Sequence, residues 1–346
     1  MTGRNRSRTR VVFVLAVLLL VFISSAARAA NEVVIKMATL VPQGSEWYQI
    51  LQEMGAEWQK ASNGRVVFRL YPGGVAGDEM DLIRKMRLGT IDSALMTVTG
   101  LSAIDRDVLA LEVPLAYADN GELDCVLDQM RPQLERQIDS KGFVLLGLSD
   151  GGWLHFFTQS PVKTPEDMKR LKMFVWAGDD QYAELWKKAG FHPVPLPGTE
   201  ISTALQTGLV NAVTVTPQGA LLLQWYKQVH YMSEFKWAVL LGGMVISKSS
   251  WDKIPAEVRP AIKASALKAC LRLRDFARQS ESRDTEVLKQ HGVEIVPVSD
   301  AVLGEWRQLI EGVLPHVRGS YVAAEPLDKA MKLRDQCRRS AGGAGK

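Results

Sequence analysis

The sequence holds little of what enzymatic chemistry usually needs. Its five histidines, His155, His192, His230, His291 and His316, are scattered, with no pair at metal-ligand spacing. There is no His-Glu-x-x-His, no phosphate-binding loop and no Gly-x-Gly-x-x-Gly after a strand. Carboxylates are plentiful, but nothing in the sequence pairs two of them for acid–base work. No catalytic residue, metal ligand or cofactor is therefore expected, and an enzyme is the least supported class. The three cysteines, Cys125, Cys270 and Cys337, lack any Cys-x-x-Cys spacing. They permit one disulfide in any of three pairings, or buried thiols, and do not decide function.

An excess of one charge is also missing. The whole chain has 42 basic and 38 acidic residues, but its first 29 residues hold five arginines and no acid. The remainder carries 37 against 38, a net of −1. Nothing here favours nucleic acid as a partner. No apolar run reaches the roughly 20 residues of a transmembrane helix.

What is present begins with a leader. Arg4, Arg6, Arg8 and Arg10 precede an unbroken apolar run from Val11 to Ile23. Ala27-Arg28-Ala29 then reads as a cleavage site. This is the pattern of a secretory signal peptide, residues 1–29, cut after Ala29, and it predicts export.

The rest of the chain alternates between two periods. Val33 to Thr39 reads as a strand, and Trp47, Ile50, Leu51, Met54 and Trp58 as one helical face. Arg65 to Tyr71 and Ile91 to Thr97 are strands around a helix marked by Met80, Ile83 and Met86. Leu123 to Ile138 is an amphipathic helix, and Phe143 to Leu148 a buried strand. A second run follows: strand Lys172 to Trp176, helix face Tyr182 to Ala189, extended His192 to Leu196, helix Thr199 to Thr207, strand Asn211 to Val215. Trp237 to Lys248 is a long returning strand, and Pro255 to Gln290 one helix of unusual length. The fold class is α/β in two lobes with that helix bracing both. The lobes are expected at 30–150 with about 238–275, and at 151–237 with about 276–320. Residues 321–346 should form a C-terminal helix and a frayed tail after Cys337.

Four stretches carry a family resemblance: Tyr71-Pro72-Gly73-Gly74 through Leu101; Val162-Lys163-Thr164-Pro165-Glu166-Asp167 through Lys172; Ala189-Gly190-Phe191-His192-Pro193-Val194-Pro195; and Thr203-Ala204-Leu205-Gln206-Thr207-Gly208-Leu209-Val210-Asn211. Together they resemble the DctP-type solute-binding proteins of tripartite ATP-independent periplasmic (TRAP) transporters. The resemblance implies the two-lobed periplasmic binding-protein fold, a small-molecule ligand between the lobes, location in the periplasm and membrane permease subunits as partners. A monomer is expected.

The family usually grips a carboxylate with an arginine on the strand after the Lys-Thr-Pro-Glu-Asp segment. Phe174 stands there in this chain, and His155 replaces a second family arginine; Thr216-Pro217 replaces an Asn-Pro pair. Arginine meets a carboxylate with two parallel hydrogen bonds, and each charged hydrogen bond is worth roughly 1.5–3 kcal/mol. A simple dicarboxylate is thus a poor ligand, and an apolar or aromatic-containing solute is expected. The candidate ligand-binding residues are Phe174, Trp176, His155, Trp153, Thr216, Gln218, Trp47 and Glu79, with Tyr48, Asp179 and Glu200 as further contacts. Two rivals remain: an organic-acid receptor using His155 and helix N-terminal amides, and a sensor or scaffold that transports nothing.

Overall fold

The computed structural model describes residues 32–343. The leader and its expected cut after Ala29 lie outside the described residues. Among these residues no helix is long and apolar enough to cross a membrane.

The first lobe starts with β1 (Val33–Thr39), α1 (Glu46–Ala61), β2 (Val66–Tyr71), α2 (Glu79–Arg87) and β3 (Ser93–Thr97). β1 pairs in parallel with β2 on one side and β3 on the other. α1 begins where Ser45 Oγ accepts from the Tyr48 amide at 3.1 Å, one of the donors that a helix start leaves unsatisfied. It buries Ile50, Leu51, Met54 and Trp58 against the sheet, each such side chain worth about 1.5–3 kcal/mol. α3 (Val98–Ser102), a 3₁₀ turn (Arg106–Leu111) and α4 (Asn120–Ser140) complete this face.

β4 (Phe143–Thr158) is longer than its hydrophobic pattern predicts. It pairs antiparallel with β9 (Ala238–Ser247) as far as Leu154 opposite Ala238. From His155 opposite Val215 it pairs with β7 (Ala212–Val215) instead. One strand thus belongs to both lobes, and the boundary expected at 150–151 falls inside it. A bulge lies between Asp150 and Trp153, where Gly152 takes φ +93°, a conformation that favours glycine.

The second lobe holds α5 (Pro165–Met168), β5 (Lys172–Trp176), α6 (Asp180–Lys188), β6 (His192–Leu196), α7 (Ile201–Thr207), β7, α8 (Pro217–Leu222) and β8 (Tyr231–Ser233). The strand order across the molecule is β2-β1-β3-β9-β4-β7-β5-β6. The family motifs have local structural reasons. Thr164 and Asp167 form a capping box at the start of α5. Gly208 ends α7 with φ +69°, and Asn211 Oδ1 accepts from the Lys172 amide at 2.7 Å, tying β7 to β5.

After β9 come α9 (Lys248–Trp251), α10 (Arg259–Gln290), β10 (Glu294–Val296), α11 (Asp300–Val317) and α12 (Ala324–Gly343). α10 runs 32 residues and packs on α1, β4 and α8, so it touches both lobes. Gly147 lets it sit close to β4: a Cβ there would lie 2.8 Å from Cys270 Sγ. Cys125 and Cys337 form a disulfide between α4 and α12, and Cys270 is the buried thiol left over. The tail departs from expectation, since α12 continues past Cys337 to Gly343. α11 was not legible as an element at all.

Candidate functional site

A cavity of about 720 Å³ lies between the lobes. The first lobe contributes Thr39, Trp47, Glu79, Thr97 and Glu112 to its wall, and the second Phe174, Trp176, Tyr182, Thr216 and Gln218. Asp150 and Gly151 of β4, Leu240 and Leu241 of β9 and Leu273 of α10 come from the crossing elements. Leu309, Ile310, Val313 and Leu314 of α11, with Tyr321 beyond it, close the remaining side.

Six of the eight expected residues line this cavity. Phe174 and Trp176, two apart on β5, share a strand face with ring centroids 5.4 Å apart and planes at 69°. Phe174 is 7% exposed and also packs on the lobe core with Phe157, Ile201 and Val213. Trp176 has room because residue 198 is glycine: a Cβ there would lie 2.4 Å from the indole. Thr216 lines the cavity, but its Oγ1 accepts from the Gly219 amide at 3.1 Å and so caps α8. Gln218 is held by Ser280 of α10 at 3.2 Å. Trp47 presents an indole whose Nε1 has no partner among the described residues.

Glu79 is almost fully buried and accepts from Thr97 N at 2.9 Å, Thr97 Oγ1 at 2.6 Å and Gly100 N at 3.2 Å. It sits on the N-terminus of α3. Burial raises its carboxyl to about 7, against the lowering effect of those donors.

Trp153 and His155 do not line the cavity. Leu154 does, and strand alternation turns its two neighbours to the opposite face of β4. Trp153 Nε1 donates to Asn120 Oδ1 at 3.0 Å, and Lys236 Nζ stands 4.9 Å from its ring centroid. His155 Nδ1 lies 2.8 Å from the Ser233 carbonyl, so it is the protonated nitrogen and Nε2 is left without a partner. Burial lowers this imidazole to about 4, which keeps it neutral at pH 7. A neutral histidine facing away from the cavity cannot replace an arginine. Of the secondary candidates, Asp179 lines the cavity, while Tyr48 and Glu200 do not.

Several wall residues carry no sequence signal. Glu112 follows a 3₁₀ turn without any motif, and Tyr182 and Tyr321 read as ordinary helix or loop positions. Gly147-Leu148-Ser149-Asp150-Gly151 has the spacing of a nucleophile elbow, which sequence reasoning passed over. Here it lies within β4, and Ser149 Oγ donates to the Cys270 carbonyl at 2.7 Å. Among the described residues no histidine lines the cavity.

The charges are lopsided. Glu79, Glu112, Asp150 and Asp179 line the cavity; among the described residues no Arg, Lys or His does. Nearby guanidinium groups stand against carboxylates of the cavity wall. Arg278 bridges Asp124 and Asp150, 2.7 Å from each, and Arg106 stands 3.6 Å from Asp179. Tyr321 donates to Asp179 Oδ2 at 2.6 Å.

Similarity to known proteins follows the same architecture. A solute-binding protein of Roseobacter denitrificans is 26% identical over 298 residues, 85% of this chain and 90% of that one. Its crystal structure, with bound L-galactonate, matches at TM-score 0.79 and 22% identity, over 88% of this chain and 99% of that one. A TRAP solute-binding protein from Desulfovibrio salexigens with bound orotic acid matches at TM-score 0.80 and 19% identity, over 88% and 98% of the two chains. The family model for bacterial extracellular solute-binding proteins, family 7, matches residues 37–318, and the chain belongs to that DctP family.

Proposed function

We propose that this chain is the periplasmic receptor of a TRAP transporter, exported by a leader removed after Ala29, and that it captures a solute with an apolar or aromatic body. A single monomer would close around the ligand and present it to the membrane permease subunits. Family membership supports the receptor role, and a cavity between two lobes suits capture by closure.

The observation that carries the ligand class is the lining. By the family resemblance Phe174 stands at the strand position of an arginine, and among the described residues no Arg, Lys or His lines the cavity. The relatives named above hold acids in their structures, L-galactonate and orotic acid. A like acid in this cavity would meet carboxylates and rings, and a buried charge without a partner is strongly unfavourable. The organic-acid reading through His155 loses its anchor to the burial of that ring.

Native mass spectrometry of the freshly purified protein, followed by a melting-temperature panel, tests this. Ring-bearing or apolar solutes should stabilise the protein, by about 2.7 kcal/mol at a hundredfold excess over Kd. Phe174→Ala should weaken them. Micromolar binding of succinate or L-galactonate would reject the ligand class while leaving the receptor role in place.

A further inference from the structure

Glu112 stands apart from the other three carboxyl groups of the cavity. Asp150 is paired with Arg278, Asp179 with Tyr321 and Arg106, and Glu79 takes three donors from α3 and its start. Glu112, half-buried, makes no side-chain hydrogen bond or ion pair among the described residues, although it lines the cavity. We infer that Glu112 is the receiver for an ammonium group, and that the ligand is an amine carried on an apolar or aromatic body that packs against Phe174 and Trp176. The inference rests on reading this cavity as the solute site.

Three physical arguments converge on it. An ionised carboxylate in apolar surroundings is costly without a partner, and the protein supplies none to Glu112. Burial pushes this carboxyl well above the usual range, and the Glu79 charge pushes it further. Second, two helix N-termini facing the cavity, natural seats for an anion, are already filled: α3 by Glu79 and α6 by Asp179, which accepts from the Tyr182 amide at 3.3 Å. Third, aromatic faces attract a cation, and Trp47, Phe174, Trp176 and Tyr182 supply them. An ammonium group gains from all three features, and a carboxylate loses on all three.

The inference has a stoichiometric signature. Desolvation and the Glu79 charge favour the protonated Glu112 carboxyl in the empty cavity, and an arriving ammonium ion favours the carboxylate. Binding therefore releases that proton to solvent, leaving an ion pair between Glu112 and the ligand. Titration calorimetry of the wild-type protein at pH 7, in phosphate and in Tris, reads the released proton from the difference in apparent heat. The probes are phenethylamine and tryptamine, with 2-phenylethanol as neutral counterpart and 3-phenylpropanoate as acid counterpart. We expect the amines to bind at least tenfold more tightly than the alcohol, with a net release of protons. Glu112→Gln should abolish the release and most of the preference. Failure of both amines to bind, equal binding of the alcohol, or binding without proton release overturns the inference. Equal binding of the alcohol leaves the apolar-ligand reading intact, whereas tight binding of the propanoate overturns both.

Discussion

Asp78 at the start of α2 accepts a 3.1 Å hydrogen bond from the backbone amide of Gly198, and so joins the first lobe to the second beside the cavity wall. Residue 198 also leaves space for Trp176. A contact between the lobes and the wall of the cavity thus share one residue.

Removing that contact should favour an open form. Asp78→Ala loses a hydrogen bond worth about 0.5–1.5 kcal/mol, so ligand affinity should fall by up to about tenfold. Small-angle scattering of the ligand-free variant should show a larger radius of gyration than the wild type, with an unchanged circular dichroism spectrum. Superimposable scattering curves would deny Asp78 this role.

Gly198→Ala addresses the other half of the relationship. A Cβ at 2.4 Å from the Trp176 ring forces the indole to move, and overpacking of this kind costs about 1–3 kcal/mol. Tryptophan emission should shift and ligand binding weaken, while a thermal transition persists. An unchanged emission spectrum would show that the ring had room to spare.

Glu79 and His155 should tilt stability in opposite directions with pH. The Glu79 carboxyl is raised to about 7 in the fold, so between about 4.5 and 7 the unfolded chain ionises first and stability falls as pH rises. The His155 imidazole is lowered to about 4, so between about 6.5 and 4 the unfolded chain takes up a proton first and stability falls as pH falls. Each shift corresponds to about 3 kcal/mol across its window. Denaturant midpoints from pH 4 to 8 should therefore gain a rising slope in Glu79→Gln and a falling one in His155→Gln. Identical pH profiles in both variants would refute the assignment.

The disulfide is the third target. Cys125 and Cys337 are 212 residues apart, and breaking such a cross-link costs about 2–4 kcal/mol. Cys125→Ser with Cys337→Ser should lower the melting temperature accordingly. In the wild type a thiol reagent should find nothing in the native protein and one group, Cys270, after denaturation, since burial raises that thiol to about 12. Two or more reactive native thiols would contradict the pairing.

The parts of the molecule that sequence made legible are those with a strong local signal. β5, from Lys172 to Trp176, and β6, from His192 to Leu196, match their patterns residue for residue. α10 announced itself by a long stretch without glycine. Phe174 was singled out because the family resemblance places an arginine at its position, and Trp176 because it belongs to the aromatic cluster on the same segment; both line the cavity. His155 and Trp153 misled for the same reason: the bulge at Gly152 and the continued length of β4 set which side chains face the cavity, and neither is written in a local pattern. Glu112 was invisible because its role comes from having no partner, a property of three dimensions. α11 was missed although Trp306 anchors it in the core beside Phe156, Phe235 and Trp237; nothing in the sequence sets apart Leu309, Ile310, Val313 and Leu314, which line the cavity.

Leu273 stands on the 32-residue α10 and in the cavity wall at once. A solute held in that cavity would press directly on the beam that spans the two lobes. Girth is then checked by mechanics as well as by contact: a solute too wide for the space beside Leu273 acts as a doorstop, and the angle between the lobes reports its fit. Substitutions along α10, even where they never touch solute, become adjustments to the stiffness of that gauge.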